Sequence, residues 1–235
     1  MALQANIPAR FNGPPGSGNG GYSCGVLAAH VKENSVRIRL HVPPPLDKPL
    51  RVVVAEDGSA KMFDADILVG TATPAALSMD IPAPPTVAQA KLAMTQYAGK
   101  VDHAFPTCFV CGPGRPAHDG LELYPGPVQD HTLLACVWEP RADTLDSTGH
   151  VLQEIVWAAL DCPGYFAAME GTLRPALLGE LLGELRAPIP ASGPLLVYSW
   201  PLGNEGRKYY GGTAITNVAG DVLASSYSTW IELRT

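Results

Sequence analysis

From Val151 to Leu160 apolar residues recur at helical spacing. At 100° per residue, Val151, Leu152, Ile155, Val156, Ala159 and Leu160 share one broad stripe. The pattern predicts a long helix over 148–170 with that stripe packed on a sheet. Glu154, Trp157 and Asp161 fall on the opposite side, the two carboxylates two turns apart on nearly one line. Pro163 lacks an N–H and crowds the turn before it, so the helix should kink or end near Asp161–Cys162. Alternatively Pro163 opens a second short helix, with Asp161 near its cap. Elsewhere the pattern is strand-like. Residues 36–42, 50–55, 59–64 and 66–72 read as strands, as do 107–111, 120–124 and 131–138, and then 176–186, 194–201, 207–217 and 221–233. Residues 12–25 form a glycine-rich lead-in to a short apolar helix through Val31. Residues 73–100 are rich in Ala and Pro and read as a connecting stretch with a short helix within 86–98.

The two halves share a pattern. Without gaps, Leu40, Pro43, Pro45, Pro49, Leu50 and Val52 of LHVPPPLDKPLRV match Leu185, Pro188, Pro190, Pro194, Leu195 and Val197 of LRAPIPASGPLLV. Each segment follows one strand and precedes further hairpin-like strands, and each half starts with a helix entered through glycine, Gly20-Gly21 or Gly149. The order of elements implies a tandem duplication of a helix-plus-antiparallel-sheet unit, an α+β arrangement with the first copy shortened. The expected boundaries are 1–85 for the first unit, 86–104 for the linker and 105–235 for the second unit with its central helix.

Composition narrows the class. The 235 residues are 46% hydrophobic and 16% charged, with 24 Gly and 23 Pro, which suits a strand-rich globule with tight turns. A formal charge of −6, with no basic run longer than Arg207-Lys208, argues against nucleic acid as a partner. The first residues lack an apolar core of signal-peptide length, and no uninterrupted apolar stretch is long enough to span a membrane. The chain therefore reads as a cytoplasmic protein. Its five cysteines read as thiols rather than a disulfide framework.

A carboxylate at the break near Asp161 would meet the negative end of the first helical segment, which raises its pKa and suits a general base. The plain alternative is that this face simply meets solvent, with Glu154 a solvated helix carboxylate and Asp161 only near a cap. Asn19-Gly20-Gly21 before Tyr22 can bring backbone amides close to an anion; it can equally be a glycine turn entering a packed helix. Cys108-x-x-Cys111 has no second C-x-x-C, and neither His103 nor His118 completes a recognised zinc spacing. The expectation is no metal and no cofactor, with both cysteines buried on a strand and Cys162 a small apolar helix residue.

An apolar helix wrapped by a curved antiparallel sheet resembles the hotdog fold, and two copies in one chain resemble the double-hotdog acyl-CoA thioesterases. The ending GRKYYGGTAITNVAGDVLASSYSTWIEL (206–233) looks like the paired last strands of that family. FPTCFVCGP (105–113) with DGLELYPGPV (119–128) looks like a stretch of bacterial thioesterase-like proteins. The resemblance implies a tandem hotdog fold and hydrolysis of an acyl-CoA or related thioester. Asp161, at the position of the family's helix-borne aspartate, would be the general base or nucleophile. Amides near Gly20-Gly21 or Gly149-His150 would hold the carbonyl oxygen. The family's water-orienting Thr and Gln align near Gly203 and Ser228, so Asn204, Ser225, Ser226 or Ser228 would have to stand in. Trp157, Tyr165 and Phe166 would line an acyl channel. The hydratase pattern, an Asp followed five residues later by His, is missing, because Phe166 stands there. A non-catalytic acyl-thioester binding protein is the competing expectation, and the chain is expected as a monomer or a homodimer.

Overall fold

The computed structural model describes residues 3–234. In chain order its elements are β1 (Leu3–Ala5), α1 (Gly20–Ala28), β2 (Ser35–Leu40), β3 (Leu50–Val54), β4 (Ala60–Asp64), β5 (Ile67–Pro74), α2 (Val87–Met94), β6 (Gly126–Pro127), β7 (Leu134–Trp138), α3 (Gln153–Ala159), α4 (Cys162–Ala168), β8 (Ala176–Leu185), β9 (Leu195–Glu205), β10 (Lys208–Thr216) and β11 (Val222–Glu232). All strands join one antiparallel sheet in the order β1-β3-β4-β5-β2-β8-β11-β10-β9-β7-β6. Read outward from the β2–β8 pair, each side runs first after the helix, fourth, third, second, and then ends on short strands from before the helix, β1 on one side and β7 with β6 on the other. At that central pair Arg39↔Glu180 and Ser35↔Glu184 are in register, and Glu180 takes Arg37 and Arg39 together.

Helix α1 lies on β2, β4, β5 and β8, and α4 on β7, β9, β10 and β11. The other face is closed in part by α2. Its start is fixed by a capping box in which Thr86 accepts from the Gln89 N–H and Gln89 reaches back to the Thr86 N–H. Alternation along β9 separates the two layers: Leu195 and Val197 join the main core under α4, while Leu196, Tyr198 and Trp200 join Ala90 and Ala93 of α2. Burial on both faces explains why residues 195–200 are apolar at every position but Ser199, which is itself buried.

Three sequence expectations change. The helix begins at Gln153, not at 148. The Asp146 carboxylate accepts the N–H groups of Thr148 and His150 at 2.8 and 3.1 Å and Gly149 sits at φ +81°, so a local turn takes over this stretch. The run at 107–111 is a tight turn, closed by Cys108 N–H to Phe105 O and Gly112 N–H to Cys108 O at 2.9 Å each. It makes only two ladder-like bonds, from Leu121 and Leu123 of the 120–124 run, so neither run is a regular strand. Pro106, Gly112 and Pro113 override the apolar pattern here. Finally, Trp157 does not face away from the sheet. It is 1% exposed and its ring lies against Gly183 of β8, where a methyl group would come within 2.8 Å of the indole.

The reason is that α1 covers the side of α3 that the pattern leaves for solvent. The two helices cross at glycines. A methyl at Gly21 would sit 2.4 Å from Asp161 Cβ and 2.5 Å from the Trp157 carbonyl oxygen; one at Gly25 would sit 2.5 Å from Glu154 Cα. Helix α4 presses on the sheet in the same way, since a methyl at Gly211 of β10 would lie 2.3 Å from the Gly164 carbonyl oxygen. Gly25→Ala is expected to destabilise by about 1–3 kcal/mol through overpacking, against an intrinsic helix gain of about 1 kcal/mol. Urea unfolding checks this, and a rise in stability would contradict the crossing.

Candidate active site

Asp161 ends the first helix and starts the second. It occupies the cap position of α4, yet its side chain caps nothing there. The carboxylate turns instead toward the start of α1. Oδ2 accepts the Gly21 N–H at 2.9 Å and the Asn19 side-chain amide at 3.0 Å, whereas Oδ1 has no partner among the described residues. The break at Pro163 is what frees this residue to point across the helix crossing. Ser226 of β11 secures the break by donating to the Leu160 carbonyl at 3.0 Å.

Asn19 works in two directions. Its Oδ1 caps α1 by accepting the Tyr22 N–H at 2.8 Å, which leaves Nδ2 directed at Asp161. The N–H of Gly20, the first helical residue, has no acceptor within the helix. Asn19, Gly20 and Asp161 line a cavity of about 240 Å³. Its walls are mainly apolar, with Leu40, Val42, Phe105, Tyr165, Phe166, Leu178 and Trp230.

Asp161 is 1% exposed. Burial raises its pKa to about 7, opposed by the hydrogen bonds from Gly21 and Asn19 and reinforced by charge on Cys108. The upward direction matches the sequence expectation, but its leading cause is removal from water rather than a helix end. Three thiols share the cavity floor: Cys108 and Cys162 have their sulfurs 3.7 Å apart, Cys111 is close by, and His103 Nε2 lies 3.3 Å from Cys111 Sγ.

Of the residues singled out in the sequence, Asn19, Gly20, Asp161, Tyr165 and Phe166 meet at the cavity, and Gly21 contributes its amide behind it. The others lie elsewhere. Gly149 and His150 sit in the turn ahead of α3, where His150 Nδ1 pairs with Thr148 Oγ1 at 2.8 Å, so they are not helix N-terminal amides. Trp157 belongs to the core. Asn204 is exposed at the end of β9. Ser228 is buried, donating to the Gly211 carbonyl and accepting from Trp230 Nε1, both at 3.0 Å. What the sequence did not reveal is the convergence of Cys108, Cys111, Cys162 and His103. The C-x-x-C spacing was the visible signal, but Cys162 reaches it only through the tertiary fold.

No protein-family model matches the chain, and no curated protein matches it in sequence. Solved structures do. A protein of unknown function from Alicyclobacillus acidocaldarius, described as having the hotdog fold, superposes with a TM-score of 0.55 at 10% identity, over 100% of this chain and 94% of its own. This chain has the hotdog fold. Two further neighbours superpose with higher TM-scores. The tesB protein of Mycobacterium avium subspecies paratuberculosis has a TM-score of 0.65 at 12% identity, over 99% of this chain and 93% of that one. The acyl-CoA thioesterase II TesB2 of Mycobacterium marinum has a TM-score of 0.61 at 12% identity, over 93% and 90%. Identities this low carry the fold alone. Among the described residues, no helix of this hotdog chain is long and apolar enough to cross a membrane.

The raised pKa of Asp161 has a sign that stability measurements can read. Between the ordinary carboxylate range and about 7 the unfolded chain has lost this proton and the folded chain keeps it, so stability falls as pH rises through that window. Asp161→Asn fits the same site: its amide oxygen can take both donors and its NH₂ can occupy the place of the unpartnered Oδ1. In buffer with EDTA, the variant should match wild type near pH 4 and exceed it at pH 8 by a few kcal/mol, at about 1.4 kcal/mol per pKa unit. A wild type that loses nothing relative to the variant across this range would refute the raised pKa.

Proposed function

We propose that the chain is a tandem of two hotdog units, 1–85 and 105–235 joined through 86–104, that hydrolyses an acyl-CoA or related acyl thioester to the free acid and thiol. The observation that carries the reading is the Asp161 carboxylate: buried in the wall of an apolar cavity, it is held through one oxygen while the other has no partner among the described residues. The matching strand order on either side of β2–β8 supports the tandem arrangement, and the thioesterase names of the M. marinum and other neighbours support the reaction class.

In this reading the acyl chain occupies the apolar cavity beside Tyr165 and Phe166, with its carbonyl carbon next to Asp161. Oδ1 of the ionised carboxylate takes a proton from water as the water oxygen bonds to the carbonyl carbon. The oxygen that becomes negative is held by backbone N–H at the start of α1, with Gly20 the available donor. Such amides are oriented before the reaction and stabilise the developing charge with little reorganisation. Collapse of the tetrahedral intermediate breaks the C–S bond, and the leaving sulfur takes up the proton. Asn19 is a positioning residue, since it ties the cap of α1 to Asp161. A pKa near 7 leaves the group mostly ionised at pH 8 and still basic enough to accept the proton.

Hydrolysis of acyl-CoAs from short to long and aromatic tests this with wild type and Asp161→Asn. The expected result is wild-type turnover that falls at least about a hundredfold in the variant, the scale of a lost general base, with acyl-CoA still bound. Saturable binding without turnover by the wild type would make this an acyl-thioester binding protein. Turnover unchanged in the variant would keep the reaction and remove Asp161 from it.

A further inference from the structure

Hydrolysis at Asp161 gives no task to the three thiols beneath it. Cys108, Cys111 and Cys162 are 3–5% exposed, and their sulfurs lie within 4.8 Å of one another. Tetrahedral zinc with sulfur bonds of about 2.3 Å holds its sulfur ligands roughly 3.8 Å apart, and the Cys108–Cys162 pair is at 3.7 Å. The turn containing Cys108 and Cys111 is closed by the Gly112 N–H on the Cys108 carbonyl. A side chain at Gly112 would lie 2.5 Å from Cys108 N, so glycine is what allows the two thiols to converge.

His103 completes the arrangement as a donor. Its Nδ1 accepts the Phe105 N–H at 3.0 Å, which places the proton of the neutral ring on Nε2, facing Cys111 Sγ at 3.3 Å. A ring nitrogen carrying a proton does not ligate a metal, but it stabilises a ligating thiolate. A disulfide between Cys108 and Cys162 would leave Cys111 and His103 unaccounted for; a metal ion engages all four.

We propose that Cys108, Cys111 and Cys162 bind a zinc-class divalent ion as thiolates, with His103 donating to Cys111 and a fourth coordination position, filled by solvent, open to the cavity. Three sulfurs select a soft or borderline metal over magnesium or calcium. Binding releases the thiol protons to solvent, so affinity rises with pH. Such an ion would fasten the 105–112 turn to the start of α4, one residue from Asp161.

The full chain, reduced, stripped with a chelator and titrated anaerobically with Co²⁺, tests this by absorbance, independently of any turnover. One Co²⁺ per chain is expected, with intense thiolate-to-cobalt charge-transfer bands and tetrahedral d–d bands, displaced by Zn²⁺. Cys108→Ser, Cys111→Ser and Cys162→Ser should each weaken binding at least a hundredfold, whereas Cys136→Ser, buried elsewhere in the core, should keep it. His103→Ala should retain the charge-transfer bands and lose about 10–100-fold in affinity. A wild type without a saturable cobalt spectrum overturns the site whatever the variants do. A spectrum that survives Cys162→Ser, or vanishes in His103→Ala, overturns the three-thiolate ligand set.

Discussion

The closeness of α1 to α3 sets most of what this structure can do. With Gly21 and Gly25 at the crossing, the backbones approach until a methyl group would collide with Asp161 Cβ and Glu154 Cα. At that distance a main-chain N–H can reach the Asp161 carboxylate directly. The same approach removes water from the carboxylate, because two helices and the sheet enclose it. Burial raises the cost of the charge and the Gly21 N–H lowers it, and the balance leaves a carboxyl group that titrates near neutrality. A larger residue at position 21 would separate the helices and undo both effects together.

The sheet serves this crossing. The β2–β8 pair lies between the two sides, with α1 touching both β2 and β8. On the other side α4 is pressed onto β10 at Gly164 and Gly211, where Ser228 uses its hydroxyl to join β10 to Trp230. That gives a small, polar residue deep in the sheet a packing reason: the layer is too thin there for a larger side chain. A hydroxyl bonded twice inside a dry layer is held in place, and its one proton is already given to the Gly211 carbonyl.

Local pattern revealed most strands of both halves, the break at Pro163 and the glycine-led start of α1. These features depend on period-two alternation, on proline and on glycine, whose effects act within a few residues. What failed depended on neighbours distant in sequence. Trp157 seemed to belong to a polar face, since its periodicity says only which residues share a side. It cannot say that a second helix covers that side. Gly149-His150 looked like a helix start, but the Asp146 carboxylate captured the amides and delayed the helix to Gln153. The thiol cluster was illegible for the same reason, as Cys162 comes from a different element than the C-x-x-C turn.

The cavity floor thus gathers a carboxylate and two sulfurs around one amide, Asn19. Its Nδ2 is 3.0 Å from Asp161 Oδ2 and within 3.8 Å of both Cys108 and Cys162 sulfurs, while its Oδ1 caps α1. An aspartate at position 19 could still cap the helix but would bring a second negative charge against Asp161. A serine could cap it but would be too short to reach across. Asparagine satisfies both demands because it carries an acceptor and a donor on one rigid plane. The orientation that caps the helix is also the one that donates to the carboxylate, so the order of α1 and the placement of Asp161 are a single structural requirement.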